Sequence, residues 1–116
     1  MPKVILITPM AEISEIDYSD SDYSSANEKY FNQEWFESWG FEKNFSVMVG
    51  ELPKGMYNCI ASTLLSNKRG TFMPIMGNAI FARANGDGDT IDLSIKEFKK
   101  ICKENGIKRT WFTVYK

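Results

Sequence analysis

The chemistry-capable residues that this sequence supplies in quantity are carboxylates. Glu12, Glu15, Asp17, Asp20, Asp22 and Glu28 follow one another with no basic residue between Lys3 and Lys29. A run of this kind is a solvated loop, a face lying against the basic helix near the end of the same chain, or a phosphate-like row of charge that steers a basic partner. General acid-base work by paired carboxylates needs an apolar setting that raises one pKa, and no apolar surroundings mark these. Glu12, Glu15, Asp17, Asp20 and Asp22 are therefore read as candidate partner-binding residues, not catalytic ones.

Two further groups are candidates for binding. Asn58, Ser62, Thr63, Lys68 and Arg69 interleave with apolar residues where a pocket wall could form, and Arg69 is able to clasp an anion with two parallel hydrogen bonds. Asn58, Ser62, Lys68 and Arg69 would then hold a small anionic nucleotide; the plainer alternative is turn capping and surface solvation. Near the end of the chain, Lys96, Lys99, Lys100, Lys103, Lys108 and Arg109 accompany Trp111, Phe112 and Tyr115. Cations beside rings suit phosphate contact with base stacking, although solubility alone also places lysines on the outer face of a helix.

Much familiar chemistry is absent by composition. The chain has no histidine, which removes Ser-His-Asp and Cys-His nucleophiles, imidazole acid-base work and imidazole metal sites. It has no G-x-x-x-x-G-K-[ST], G-x-S-x-G or G-x-G-x-x-G motif. Residues 85–89, Asn-Gly-Asp-Gly-Asp, imitate a calcium loop, but the required glycine would be Thr90 and the closing glutamate Lys96. They read instead as a tight glycine turn. Cys59 and Cys102 form no C-x-x-C pair and are expected to be two buried, reduced thiols. No catalytic residue, metal ligand or cofactor is assigned, and the expected activity is not enzymatic.

Positioning these residues falls to about four or five strands and two helices. Residues 3–8 are a β-branched run stopped by Pro9, expected as a central strand buried on both faces, and 12–17 as a short edge strand. Residues 17–25 read as a loop. Ser25 and Glu28 match a capping box, predicting a helix over 26–39 with Tyr30, Phe31, Trp35 and Trp39 as its core stripe and Gly40 as its stop. Residues 45–50 alternate as a strand, 51–55 form a turn around Pro53 and Gly55, and 56–66 are a short helix or irregular loop. After a polar break at 67–70, residues 72–84 read as strand, with Gly77 a bulge or close-approach point. Ser94 and Glu97 form a second capping box, with Leu93 and Phe98 as its staple, opening an amphipathic helix that Gly106 ends. Residues 107–115 favour a closing strand.

A chain of 116 residues makes a single domain, 1–116, of α+β class, with a mixed or mostly antiparallel sheet and helices packed on it. Its net charge of −1 conceals an asymmetry. Residues 1–53 hold three basic and ten acidic side chains, and 54–116 hold eleven basic and five acidic. The opening apolar run is too short for a signal peptide core or a membrane span, so a cytoplasmic location is expected.

The strand Lys3-Val4-Ile5-Leu6-Ile7, the segment Asn58-Cys59-Ile60-Ala61-Ser62-Thr63-Leu64-Leu65 and the stretch Ile75-Met76-Gly77-Asn78-Ala79-Ile80-Phe81 together resemble a family of small uncharacterised proteins of bacteriophages and mobile elements. The likeness covers about half of the chain, and the aromatic segment 31–39 lies outside it. What the resemblance implies is a setting: phage accessory proteins act by binding, as inhibitors of host defence, DNA mimics or sponges for nucleotide signals. The expectation is thus a host-defence inhibitor binding a host protein through its acidic stretch. A nucleotide-binding protein, possible as a homo-oligomer, comes second, and a nucleic-acid-binding protein third.

Overall fold

Alternation of apolar residues along β1 (Lys3–Ile7) sends Ile5 and Ile7 to one face and Val4 and Leu6 to the other, and both faces are covered. In the computed structural model, which describes residues 1–33, 35–52 and 54–115, this strand is the centre of an α+β fold. It pairs antiparallel with β2 (Glu12–Asp17) on one side and with β5 (Ala79–Ala84) on the other. Beyond β5 lie β4 (Phe45–Gly50) and β3 (Phe36–Glu42), and the far end of β5 also carries β6 (Thr90–Ile91). β7 (Val114–Tyr115) completes the order β3-β4-β5-β1-β2-β7 and is parallel to β2. The sheet is therefore mixed and mostly antiparallel, with more strands than the four or five expected because β6 and β7 are only two residues each.

Three layers result. Helices α2 (Cys59–Arg69) and α3 (Ile95–Glu104) cover one face, burying Ile60, Leu64, Leu65, Phe98 and Cys102 against Ile5, Ile7, Ile13, Val47, Val49 and Phe81. The opposite face, built on Val4, Met48, Ile80 and Ala82, is closed by Tyr18, Ala26, Tyr30 and Phe31. Tyr18 directly follows β2; after a 3-10 turn at Asp20–Asp22, the short helix α1 (Tyr23–Ala26) supplies Ala26 and a π-helical turn at Asn27–Phe31 supplies Tyr30 and Phe31.

The predicted helix over 26–39 is corrected by this arrangement. Ser25 Oγ donates to Asp22 Oδ2 at 3.0 Å rather than capping a helix, and the helical segment ends at Asn32 in a left-handed conformation. Trp39 belongs to β3, which a tight turn with Asn44 at φ +73° joins to β4. The expected loop at 17–25 likewise contains the 3-10 turn and the start of α1. α2 runs through the supposed polar break to end at Gly70, φ +70°. The strand over 72–84 shrinks to β5, and the closing strand over 107–115 to β7 after a 3-10 turn at Arg109–Trp111. The capping box of α3 stands as read, with Ser94 Oγ accepting from Glu97 N at 3.1 Å. Pro53, expected in the turn after β4, lies outside the described residues.

The shortening of the 72–84 strand has a cause in the core. Asn58, fully buried, donates through Nδ2 to the carbonyls of Ile7 at 3.0 Å and Gly77 at 2.9 Å, while its Oδ1 accepts from Ala61 N to cap α2. Ser62, equally buried, accepts from Ile75 N at 2.8 Å. The backbone of 75–77 is thus committed to α2 instead of a sheet ladder. Gly77, at φ +81°, approaches so closely that a Cβ there would meet the Lys54 carbonyl oxygen at 2.6 Å, so the close approach expected at this glycine is observed. Asn58→Ala would remove the side-chain hydrogen bonds to the Ile7 and Gly77 carbonyls and to the Ala61 N–H. It should cost about 3 kcal/mol or more, read as a lower urea midpoint at unchanged m-value; a loss below about 1 kcal/mol would show that the three groups find other partners.

Candidate functional site

The acidic stretch does not present a free row of carboxylates. β2 alternates, so Glu15 and Asp17 share the face of Ile13, toward the helices. Glu15 Oε1 accepts from Ile95 N at 2.9 Å, one of the unpaired N–H groups at the start of α3, where the helix dipole favours a negative charge. Asp17 pairs with Lys3 at 2.6 Å in direct register across β1 and β2. That hydrogen bond holds the exposed Asp17 carboxyl below its usual range and the Lys3 ammonium above its own. Asp20 accepts from Thr90 N at 2.9 Å and Thr90 Oγ1 at 2.7 Å, and Asp22 from Ser25. Glu12 is half-buried beside the Thr8 turn, its N–H bonded to Thr8 Oγ1. Of the three alternatives for this stretch, contact with the last helix of the same chain describes Glu15, at that helix's N-terminus.

These carboxylates work with others around the same junction. Asp92 Oδ1 accepts from Lys3 N at 2.8 Å, and Glu97 takes Arg83 Nη1 at 2.6 Å, which pulls the Glu97 carboxyl down. Segment 89–97 is in this way stitched to β1, β2 and β5.

The proposed nucleotide quartet is dispersed. Asn58 and Ser62 are interior, their polar atoms spent on backbone partners, so they offer no donor to a ligand. Lys68 pairs with Glu42 and stands over the Phe41 ring at 5.3 Å, while Arg69 lies over the Trp39 ring at the same distance. Both cations thus brace α2 against β3. In the C-terminal group, Lys99, Lys103, Lys108 and Arg109 gather around one groove with Phe112, whereas Lys96 and Lys100 do not line it. The side chain of Tyr115 lies outside the described residues.

What composition and spacing did not single out is an apolar surface. Trp35, Leu52, Met56, Tyr57 and Phe72 leave between 43 and 68% of their area exposed. They sit on three neighbouring segments. Glu51 N donates to Trp35 O, and Gln33 clasps both backbone groups of Leu52 at 2.8 Å. Tyr57 bridges to Met76 and meets the Phe72 ring at 6.4 Å. A small groove of about 180 Å³ is walled by Trp39, Met73, Pro74, Ile75 and Met76 and flanked by Glu37 and Glu51; the exposed Trp35, Leu52, Met56, Tyr57 and Phe72 do not line it. The available signal was the pairing of large apolar residues with turn formers, Leu52 beside Pro53, Met56 beside Gly55 and Met73 beside Pro74, at no periodicity that would bury them.

No family model, no curated protein and no solved structure matches this chain. No helix among the described residues is long and apolar enough to cross a membrane.

The two cysteines differ, correcting the expectation of two buried thiols: Cys59 opens α2 and is exposed, and Cys102 is buried, with its thiol pushed up to about 12 by desolvation. A thiol reagent should titrate one cysteine in the native protein and both after unfolding. The unfolded Cys102 thiol ionises near 9.0, so between that pH and about 12 the unfolded state binds one proton fewer. This group alone should then make stability fall by roughly 1.4 kcal/mol per pH unit over that window, and chemical denaturation should find the fall smaller in Cys102→Ala, where the buried Tyr18 hydroxyl, also raised by desolvation, and the Lys3 ammonium still add to it.

Proposed function

We propose that the chain acts by recognition and not by catalysis, as a phage or mobile-element accessory protein whose partner is a host protein, and that it inhibits a host defence by occupying that partner. The surface assigned to the contact is the strip of Trp35, Leu52, Met56, Tyr57 and Phe72, and this exposed strip is the single observation that carries the reading. Tyr57 and Phe72 are in ring contact while both are exposed, an arrangement that a monomer rarely leaves in water, and interface hot spots are enriched in aromatic residues of this kind. Glu37 and Glu51 beside the groove select a partner with an apolar centre and a basic rim. The acidic stretch, first choice on sequence grounds, gives way because the Glu15, Asp17 and Asp20 carboxylates are engaged within the molecule.

The titratable groups support a binding role. The displaced carboxyls, Asp17 and Glu97, move downward beside Lys3 and Arg83, the opposite of what a general acid at neutral pH requires. The buried Cys102 thiol moves upward, away from nucleophilicity. The resemblance to phage proteins, carried by β1, 58–65 and 75–81, points to a host protein as the target.

Capture from host extract should drop about tenfold or more for Met56→Ser with Phe72→Ser, at unchanged circular dichroism, and persist for Asp17→Lys with Asp22→Lys. Undiminished capture by the apolar pair would overturn the assignment. So would self-association of the purified chain that the same pair abolishes, because the strip would then belong to a second copy.

A further inference from the structure

β3 closes one side of the sheet, and no strand among the described residues pairs with its outer edge. Which of its backbone groups face that edge follows from one bond. Glu51 N donates to Trp35 O, so Trp35 and Glu51, one step beyond the Phe36 to Gly50 register, are a hydrogen-bonded pair. Such pairs alternate along an antiparallel ladder, which turns the N–H and C=O of Glu37 and Trp39 inward to Val49 and Val47. The N–H and C=O of Phe36, Ser38 and Gly40 therefore point outward, until the bulge between Gly40 and Glu42 ends the regular ladder.

A long exposed edge is ordinarily guarded by lysine, proline or charge. β3 has no lysine and no proline, and its charged residues are Glu37 and Glu42. Glu42 is paired with Lys68. Glu37 is exposed and enters no ion pair among the described residues, and the same holds for Arg69, which lies over the Trp39 ring at 5.3 Å. Alternation puts Glu37 and Trp39 on one face of the strand, so an anion and the cation stacked on Trp39 stand two positions apart along the same edge. A Cβ on Gly40 would meet nothing within 4 Å, which leaves the approach to that end of the edge open.

We propose that the free edge of β3 takes a second copy of this chain, β3 against β3, antiparallel about a two-fold axis at Ser38. Ser38 of each copy then exchanges its outward bonds with Ser38 of the other, and Phe36 pairs with Gly40. Glu37 comes opposite Trp39, where its carboxylate meets the Arg69 guanidinium stacked on that ring, and the axis repeats the contact at the other end. Neighbouring registers lack this match. An axis at Glu37 would set the two carboxylates directly opposite each other, which is destabilising, and an axis at Trp39 would move Glu37 one pair away from Arg69. A surface that complements itself in this way is what a two-fold interface requires. One strand pair buries little area, so the dimer is weak and forms with concentration. Leu52, Met56, Tyr57 and Phe72 take no part in the ladder, and the pairing stands whether or not their strip binds a host protein.

Sedimentation equilibrium of the full chain, from micromolar to near-millimolar concentration, reads the dimer. Glu37→Arg and Arg69→Glu, each alone, should raise its dissociation constant about tenfold or more, because each sets like charges together at both ends. An equimolar mixture of the two variants should associate again, since every reversed charge then faces its opposite. Ser38→Pro, which removes an outward N–H that an edge strand can lose, should abolish the dimer at unchanged circular dichroism. A wild-type chain that stays monomeric throughout, or a mixture as weak as either variant alone, would overturn the proposal, and so would assembly beyond a dimer. A dimer that Met56→Ser with Phe72→Ser abolishes and charge reversal leaves intact would move the contact to the apolar strip, overturning this pairing and the host-protein reading together. Loss on charge reversal alone supports the pairing and leaves that reading untouched.

Discussion

The side chain of Asn58 meets three backbone groups from three separate parts of the chain, and it answers them from one carboxamide. Its nitrogen spans from the end of β1 to the strap at Gly77, and its oxygen caps α2. An amide is nearly alone among side chains in being able to donate twice and accept at once without charge, which makes it the right group for a buried junction of this kind. Ser62, one turn further along α2, secures the same strap at Ile75. The strap cannot join the sheet while these bonds exist, and so it runs outside, carrying Met73 and Met76 to the surface groove. A polar interaction in the core thereby dictates where an apolar surface appears.

Charge is organised on a similar principle of internal use. The acidic first half and the basic second half meet at the start of α3, where Glu15, Glu97, Arg83, Asp92 and Lys3 hold the segment after β6 in place. These exposed pairs contribute little individually to stability, but their geometry sets the register of the last third of the chain on the sheet. The carboxylates that bind the start of α3 are thereby gathered at that end, and Glu104 stands at the other.

Elements whose signal is local were legible in the sequence. β1, β2, β4 and α3 follow from β-branched runs, alternation and a capping box, and the α+β class followed from them, although of the two helices expected only α3 stands, and α2 takes the place given to 26–39. The failures share a cause in tertiary competition. Ser25-x-x-Glu28 has the letters of a cap, but Asp22 claims the hydroxyl, and the alternation from Phe36 to Glu42 is worth more as an edge strand beside β4. Residues 72–78 have the composition of a strand, yet Asn58 and Ser62 hold its backbone from a distance no periodicity reveals. Asn58 and Ser62 illustrate the same limit for sites: side chains suited to a ligand are equally suited to the backbone, and burial decides which they serve. Lys103, Lys108, Arg109 and Phe112 were visible as a group because they are close in sequence.

The position of β1 in the sheet has a consequence for the order of assembly. This strand is the earliest in the chain, yet its neighbour on one side is β5, paired Ile5 to Phe81, and β2 in turn receives β7 through Glu12 and Val114. The β1–β2 and β3–β4 hairpins close over short loops, but each remains half a sheet until β5 arrives between them. Loop-closure entropy must be met before those distant pairings return any stabilisation, which slows such topologies relative to helical bundles. The insertion of β5 is the step that turns two independent hairpins into one cooperative unit.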